Sequence, residues 1–350
     1  MTGTLLAGIA ARRVPTDRLS ANVLERPSSG AAQATVLFVH GNVSSSLFWQ
    51  PLMLALPHGV RALAVDLRGF GDSETLPVDA TRGVRDFSDD VAAVADALAL
   101  GPVHLVGWSM GGGVAMQLLL DRPDLVRSLT LVSTVSPYGF GGTGADGSLL
   151  NADASGTGGG GANPDFVARL AAGDNGEDAP TSPRAVYRSS YVAPGFESEH
   201  EDLWVESMLS TATGEDNYPG DATGSENWPG FAPGTRGVLN TMAPTYFDTS
   251  AIVDLPEKPP VLWIHGALDA IVGDASFFDL NQLGVAGIIP GWPGEAVAPP
   301  QPMLAQIRSV LDRYAANGGS AREVVFDDCG HSPHIEKPDE FLAELLAHLG

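Results

Sequence analysis

Residues 102–113 read Pro-Val-His-Leu-Val-Gly-Trp-Ser-Met-Gly-Gly-Gly. A short apolar run, Val103 to Val106, leads into Gly107-Trp108-Ser109-Met110-Gly111, and a helical run, Val114 to Leu120, follows. This is a G-x-S-x-G at a strand-to-helix junction, the setting a nucleophile elbow requires. The sharp turn strains the serine backbone and lifts its oxygen clear of the sheet. Small residues must flank it, because the strand and helix backbones nearly touch there. With 42 glycines in 350 residues, the pentapeptide alone also fits a glycine-rich loop after a strand. The surrounding chain has to decide between the two.

Outward from the elbow, strand and helix patterns alternate. Arg322 to Phe326 reads as a last strand and Ser128 to Ser133 as a buried one, while Thr35 to Val39, Val60 to Leu67 and Val261 to His265 are short apolar runs. Such runs suit parallel strands buried on both faces. Phe48 to Leu56, Asp86 to Leu98, Met303 to Ala315 and Asp339 to Leu349 have helical spacing, and Pro123 stops the helix after the elbow. Residues 12–26 alternate as an edge strand or hairpin would, and Leu5 to Ala11 reads as a strand or loose arm. Alternating strands and helices imply a parallel sheet covered on both faces. Reactive residues then belong at the carboxyl ends of the strands. Ser109, Asp269 and His331 each lie just past such an end, in the order serine, acid, histidine.

A serine hydroxyl is a weak nucleophile and needs an adjacent base, for which His331 is the candidate. An imidazole in that role needs a carboxylate to fix its tautomer. Asp269, four residues beyond His265, is the candidate, with Asp274 as the nearest alternative. No carboxylate lies close behind Ser133.

His40-Gly41, Asp66 to Ser73, Gly107 to Gly112, His265 to Asp269 and Gly330-His331 with Glu336-Lys337-Pro338 together resemble the α/β-hydrolase superfamily. The resemblance covers roughly residues 35–135 and 255–348 and is specific for the fold more than for the substrate. It implies a mostly parallel eight-stranded-type sheet with helices on both faces and an inserted cap. It also implies an oxyanion hole built from the backbone N–H groups of Asn42 and Met110. His40 to Trp49 is similar to the matching stretch of haloalkane dehalogenases, where the asparagine side chain holds the halide. Those enzymes attack with an aspartate, and Ser109 stands in its place here. The Asn42 amide therefore either points at a substrate oxygen or makes its own turn hydrogen bonds.

Other features read more plainly. His331 and His334 have a metal-like spacing but no second ligand pair nearby. His334 reads as a loop residue beside the site, and Cys329 as a small packed residue. His40 orients its loop, Gly69-Phe70-Gly71 is a structural turn, and Asp89 and Asp90 read as a solvated helix face.

The expected organisation is a core of residues 1–135 and 251–350, a cap at 136–250, and a second irregular insertion at 273–302. A connection as long as the cap is not a simple loop. Residues 136–163 are rich in Gly, Ser, Thr and Asn, and parts of this stretch are expected to be mobile. The aromatic residues of the two insertions are candidates for lining a substrate pocket: Trp204, Trp228 and Trp292, with Trp108 beside the nucleophile.

Composition sets outer limits. A formal charge of -23 repels nucleic acid and anionic membrane. One cysteine permits no intrachain disulfide and fits the reducing cytoplasm. No stretch approaches the roughly 18 apolar residues of a membrane span. The expected protein is a cofactor-free, metal-free serine hydrolase, monomer or homodimer, that cleaves a carboxylic ester or lactone of an apolar or aromatic small molecule. Hydrolysis of a C–C bond and removal of an N-terminal residue use the same triad. A ligand-binding protein without turnover is the alternative from another class.

Overall fold

The computed structural model describes residues 4–28, 30 and 32–350. Eight strands form the central sheet: β1 (Ala10–Pro15), β2 (Ser20–Arg26), β3 (Ala34–Val39), β4 (Val60–Val65), β5 (Val103–Trp108), β6 (Val126–Val132), β7 (Val261–Gly266) and β8 (Ala321–Phe326). Their order is β1-β2-β4-β3-β5-β6-β7-β8. The first hairpin and the β2–β4 pairing are antiparallel, and every other pairing is parallel. The apolar runs explain this arrangement. Every residue of β5 and β7 is buried, as a central strand covered on both faces requires.

Helices α1 (Gln50–Ala55), α2 (Arg85–Ala97) and α3 (Met110–Asp121) precede the long connection between β6 and β7. Within that connection lie α4 (Pro164–Ala171), a helical segment spanning Pro183–Tyr191, and α5 (Glu201–Leu209). The sequence pattern suggests short helices between Tyr187 and Leu209, and the chain breaks between them after Tyr191. Pro194 has no N–H to donate and Gly195 takes φ +84°, so the helix cannot run on. α6 (Leu280–Val285) lies within the second irregular stretch, α7 (Met303–Ala316) follows it, and α8 (Pro338–Leu349) closes the chain.

The glycine-rich stretch 136–163, expected to be partly mobile, is tied down by two buried glutamines near α7. Gln301 accepts from Gly141 N at 2.5 Å, and Gln306 accepts from the Ser136 hydroxyl at 2.6 Å. Both side-chain amides donate to Thr143 Oγ1, at 2.9 and 3.0 Å. These bonds satisfy loop groups that would otherwise be buried without partners.

One reading of α2 is corrected. Asp89 is partly exposed, but Asp90 is 2% exposed and accepts from Arg68 at 2.6 and 2.7 Å and from Arg18 at 2.7 Å. A carboxylate buried that deeply requires such partners, and they come from distant parts of the chain. No helix among the described residues is long and apolar enough to cross a membrane.

Candidate active site

The loops after β3, β5, β7 and β8 bring their residues together at one edge of the sheet. Ser109 sits between β5 and α3 with φ 57° and ψ −122°. A non-glycine residue held there costs roughly 1–3 kcal/mol and persists only where its surroundings fix it. Here they do: Ser109 N donates to Val132 O at 2.9 Å, and Ser109 O accepts from Gly112 N at 2.9 Å and Val135 N at 3.2 Å. The flanking glycines are obligatory. A Cβ on Gly107 would meet the Gly111 carbonyl, and one on Gly111 would meet the carbonyls of Val39 and His40.

His331 lies beyond β8, and its Nδ1 is 2.8 Å from Asp269 Oδ2 and 3.0 Å from Oδ1. Both side chains are 2% exposed. Asp269 Oδ1 also accepts from the backbone N–H groups of Ile271 and Val272, at 2.8 and 2.9 Å. The carboxylate is thus locked in place and directs the imidazole, leaving Nε2 as the free ring nitrogen. Asp274, the alternative acid, does something else: its Oδ1 accepts from Leu304 N at 2.7 Å at the start of α7.

The histidine loop is held from three sides. Glu336 accepts from Gly330 N at 2.9 Å, Ser332 N at 3.0 Å and Ala193 N at 2.7 Å. The Ser332 hydroxyl donates to Tyr191 O at 2.6 Å. The Trp108 indole donates to His331 O at 2.8 Å. Trp108 is fully buried, so it positions the histidine backbone rather than flooring a pocket.

The loop after β3 presses on the elbow. A Cβ on Gly41 would lie 2.9 Å from Ser109 Cβ, so Asn42 follows immediately beside the serine. Met110 is the first residue of α3, where helical N–H groups lack partners within the helix. His40 Nδ1 donates to Gly41 O at 2.7 Å while Nε2 accepts from Leu67 N at 3.0 Å. That is a neutral imidazole pinning a loop, and burial lowers its pKa. The Asn42 side-chain oxygen is buried with no hydrogen-bond partner, so it makes no turn bond of its own.

Tyr191 is the residue that sequence reasoning passed over. Its hydroxyl donates to Asn42 O at 2.9 Å, while its carbonyl accepts from Ser332. One residue from the β6–β7 connection, through its hydroxyl and its backbone carbonyl, therefore joins the loops of Asn42 and His331. Nothing local in the sequence indicates what its hydroxyl reaches. Tyr191→Phe is expected to lower kcat about tenfold with a smaller effect on KM, because one bond to the loop is lost. Steady-state kinetics on an ester measures this, and an unchanged kcat would remove Tyr191 from the account.

A cavity of about 430 Å³ reaches this region at Asn42, Val43 and Tyr191. Phe140, Phe166, Tyr218, Phe277 and Phe278 are among its other walls, and Ser109, Asp269 and His331 are not. Nor are the four tryptophans considered as pocket residues, and that expectation is corrected. Trp204 is buried against Phe48 with ring centroids 4.9 Å apart. Trp228 donates to Pro290 O at 3.1 Å and Trp292 to Ala298 O at 3.0 Å, so both hold the 273–302 stretch together. Large side chains can anchor a long loop as readily as they can line a pocket.

His334 is enclosed by rings, 4.3 Å from Trp49 and 4.9 Å from Trp108, and neither of its nitrogens has a partner. Burial, with some help from His331, holds its pKa well below 6.5. Burial also lowers His104 to about 4. The unfolded chain takes up these protons near pH 6.5 and the folded chain does so only at lower pH. Stability is therefore full above about pH 6.5 and is lost as the pH falls toward 4. Thermal melts from pH 8 to pH 5 are expected to show a falling Tm below pH 6.5, with a shallower fall in His334→Phe. A Tm that does not change across this range would contradict the assignment of neutral buried imidazoles.

A model of the alpha/beta hydrolase family matches residues 36–344. The chain belongs to that family. Among curated relatives, this hydrolase is 35% identical over 127 residues to the 2-(acetamidomethylene)succinate hydrolase of Mesorhizobium japonicum, covering 36% of this chain and 43% of that one. It is 38% identical over 113 residues to a pimeloyl-[acyl-carrier protein] methyl ester esterase of Neisseria meningitidis, covering 31% and 40%. The match thus spans less than half the length of these relatives. Among solved structures, the esterase EaEST of Exiguobacterium antarcticum superposes with a TM-score of 0.60 at 16% identity, covering 97% of this hydrolase and 99% of that chain. At that identity the likeness concerns the fold alone.

Proposed function

We propose that this alpha/beta hydrolase cleaves carboxylic esters or lactones through an acyl-enzyme on Ser109. The observation that carries the reading is the buried His331–Asp269 pair, 2.8 Å apart, at the same sheet edge as a serine held at φ 57°. Ser109 Oγ attacks the carbonyl carbon and passes its proton to His331 Nε2. Asp269 stays ionised and stabilises the imidazolium. The oxyanion is met by the N–H groups of Asn42 and Met110, each worth roughly 3–4 kcal/mol in such sites. His331 then gives the proton to the leaving oxygen. Water, activated by the same histidine, releases the acid and restores the serine.

Residues 136–250 serve as a cap and residues 273–302 as its partner, because both contribute walls to the 430 Å³ cavity. Phenyl rings among those walls favour an apolar or aromatic substrate. The esterase named among the relatives supports the ester class. The substrate is a small molecule, since a formal charge of -23 opposes nucleic acid and anionic membrane alike. The single, buried cysteine fits a cytoplasmic location.

A turnover screen tests the substrate class with short alkyl esters, aryl esters, lactones, diketones and peptide amides. Hydrolysis of esters or lactones at rates well above the other classes supports the reading. Turnover of only amides or diketones would move the protein to another reaction on the same triad.

A further inference from the structure

The loop after β3 is strained beside the proposed oxyanion donor. Val43 follows Asn42 and takes φ 45°. A β-branched residue in that region persists only where its surroundings hold it. Ser44 Oγ donates to Gly41 O at 2.9 Å, which fixes the start of the loop. Among the described residues, the carbonyls of Asn42 and Val43 are reached only by Tyr191, whose hydroxyl lies 2.9 Å from the first and 3.3 Å from the second.

The placement of Tyr191 is itself set from a distance. It ends the helical segment Pro183–Tyr191. Near the other end of that segment, Arg184 is 7% exposed. Its Nη1 donates to Glu201 at 2.7 Å, and its Nη2 donates to Asp202 at 2.7 Å and to the Asn175 side chain at 2.6 Å. Glu201 and Asp202 belong to the first turn of α5. α5 then returns to the loop after β3. The hydroxyls of Ser207 and Ser45, both 0% exposed, are 2.6 Å apart, and Trp204 stacks on Phe48. The links close into a ring: Asn42, Tyr191, Arg184, Glu201, Ser207, Ser45 and back along the loop to Asn42.

Stability alone does not call for the charged link in this ring. Acids in the first turn of a helix are favourable when left in water. A buried ion pair adds little net stability, because both ions lose their water, but it fixes one geometry. Arg188 also bonds Glu201, at 2.7 Å, but its side chain is 45% exposed, where such a pair holds weakly.

We propose that Arg184 is a positioning residue for the reaction. By clamping the Pro183–Tyr191 segment to α5, it holds the Tyr191 hydroxyl against Asn42 and keeps the Asn42 backbone N–H aimed at the oxyanion. This rests on the ester-hydrolase reading above and names a distant pair on which the rate at that same site depends. Arg184 touches no substrate and acts through Tyr191.

The test is a double-mutant cycle on Arg184→Met and Tyr191→Phe. Fluorophosphonate titration counts the competent serines in each preparation, so that kcat refers to folded protein alone. Arg184→Met is expected to lower kcat about fivefold, with KM within about twofold of the parent. Tyr191→Phe lowers kcat about tenfold, and the double variant is expected to fall no further than that, where independent effects multiply to about fiftyfold. Arg184→Lys, which keeps the charge but not the fork, is expected to recover about half of the loss. Phosphonylation of Ser109 is expected to slow in the same order, because it draws on the same oxyanion donors. If Arg184→Met does not fold, Glu201→Gln weakens the clamp from the other side and runs the same cycle, with an expected loss of about threefold. An arginine that only supports the fold gives a lower melting temperature with an unchanged kcat per serine. That result overturns the proposal, and so does a double variant whose losses multiply. Either result with a labelled parent leaves the hydrolase standing and removes Arg184 from its mechanism. A parent that takes no label removes the hydrolase reading and this proposal with it.

Discussion

Replacing Ser109 by alanine is expected to lower kcat by roughly a million-fold, with little change in melting temperature. The size of the loss follows from the lack of a substitute. The Cys329 thiol is buried, its pKa is pushed up by desolvation, and it lies outside the elbow. What survives is the modest acceleration supplied by binding and by the oxyanion donors, about a thousand-fold over water. Stability is spared because the strained turn is held by the backbone bonds of Ser109 to Val132, Gly112 and Val135, which alanine retains. Steady-state kinetics and a thermal melt on the same preparation measure both outcomes. A variant that keeps a tenth of the parent activity would sink the serine mechanism.

Asp269→Asn is expected to cost about ten-thousand-fold in kcat. The geometry gives a specific reason. The N–H groups of Ile271 and Val272 both point at Oδ1, so the amide oxygen of asparagine must take that position. The amide nitrogen then occupies the place of Oδ2, 2.8 Å from His331 Nδ1. It donates to Nδ1 and leaves the ring proton on Nε2, where the serine needs a base. The fold keeps its turn and the catalyst holds the wrong tautomer. Asp274→Asn is the matched control, since Asp274 bonds the start of α7 and leaves the imidazole alone. It is expected to stay within about threefold of the parent. Equal losses in the two variants would contradict the assignment of Asp269.

The parts of this molecule that could be read in the sequence are those whose cause is local. Val103 to Val106 and Val261 to Ile264 are apolar without interruption because both faces of a central strand are covered, and they lie in β5 and β7. Ser109, Asp269 and His331 follow strand ends because a parallel sheet gathers its carboxyl-terminal loops at one edge. The parts that could not be read depend on partners far away in the chain. Asp90 resembles any acid on a helix surface until Arg18 and Arg68 fold onto it. Trp204, Trp228 and Trp292 have the size and type of pocket residues, but size does not say which way a ring faces. The link from Tyr191 to Asn42 spans 149 positions, and no spacing rule reaches that far. Glu336 was legible as part of Glu336-Lys337-Pro338, while its grip on Gly330, Ser332 and Ala193 was not.

A strained serine elbow is useful only if the oxygen it exposes is reactive. The most direct measurement of that reactivity is the site of covalent labelling by a fluorophosphonate, read by peptide mass spectrometry. The account predicts one phosphonate per chain, on the peptide containing Ser109, and none after Ser109→Ala. Asp269→Asn should be labelled far more slowly than the parent. An unlabelled parent, or a label on another residue that persists in Ser109→Ala, would contradict the central claim.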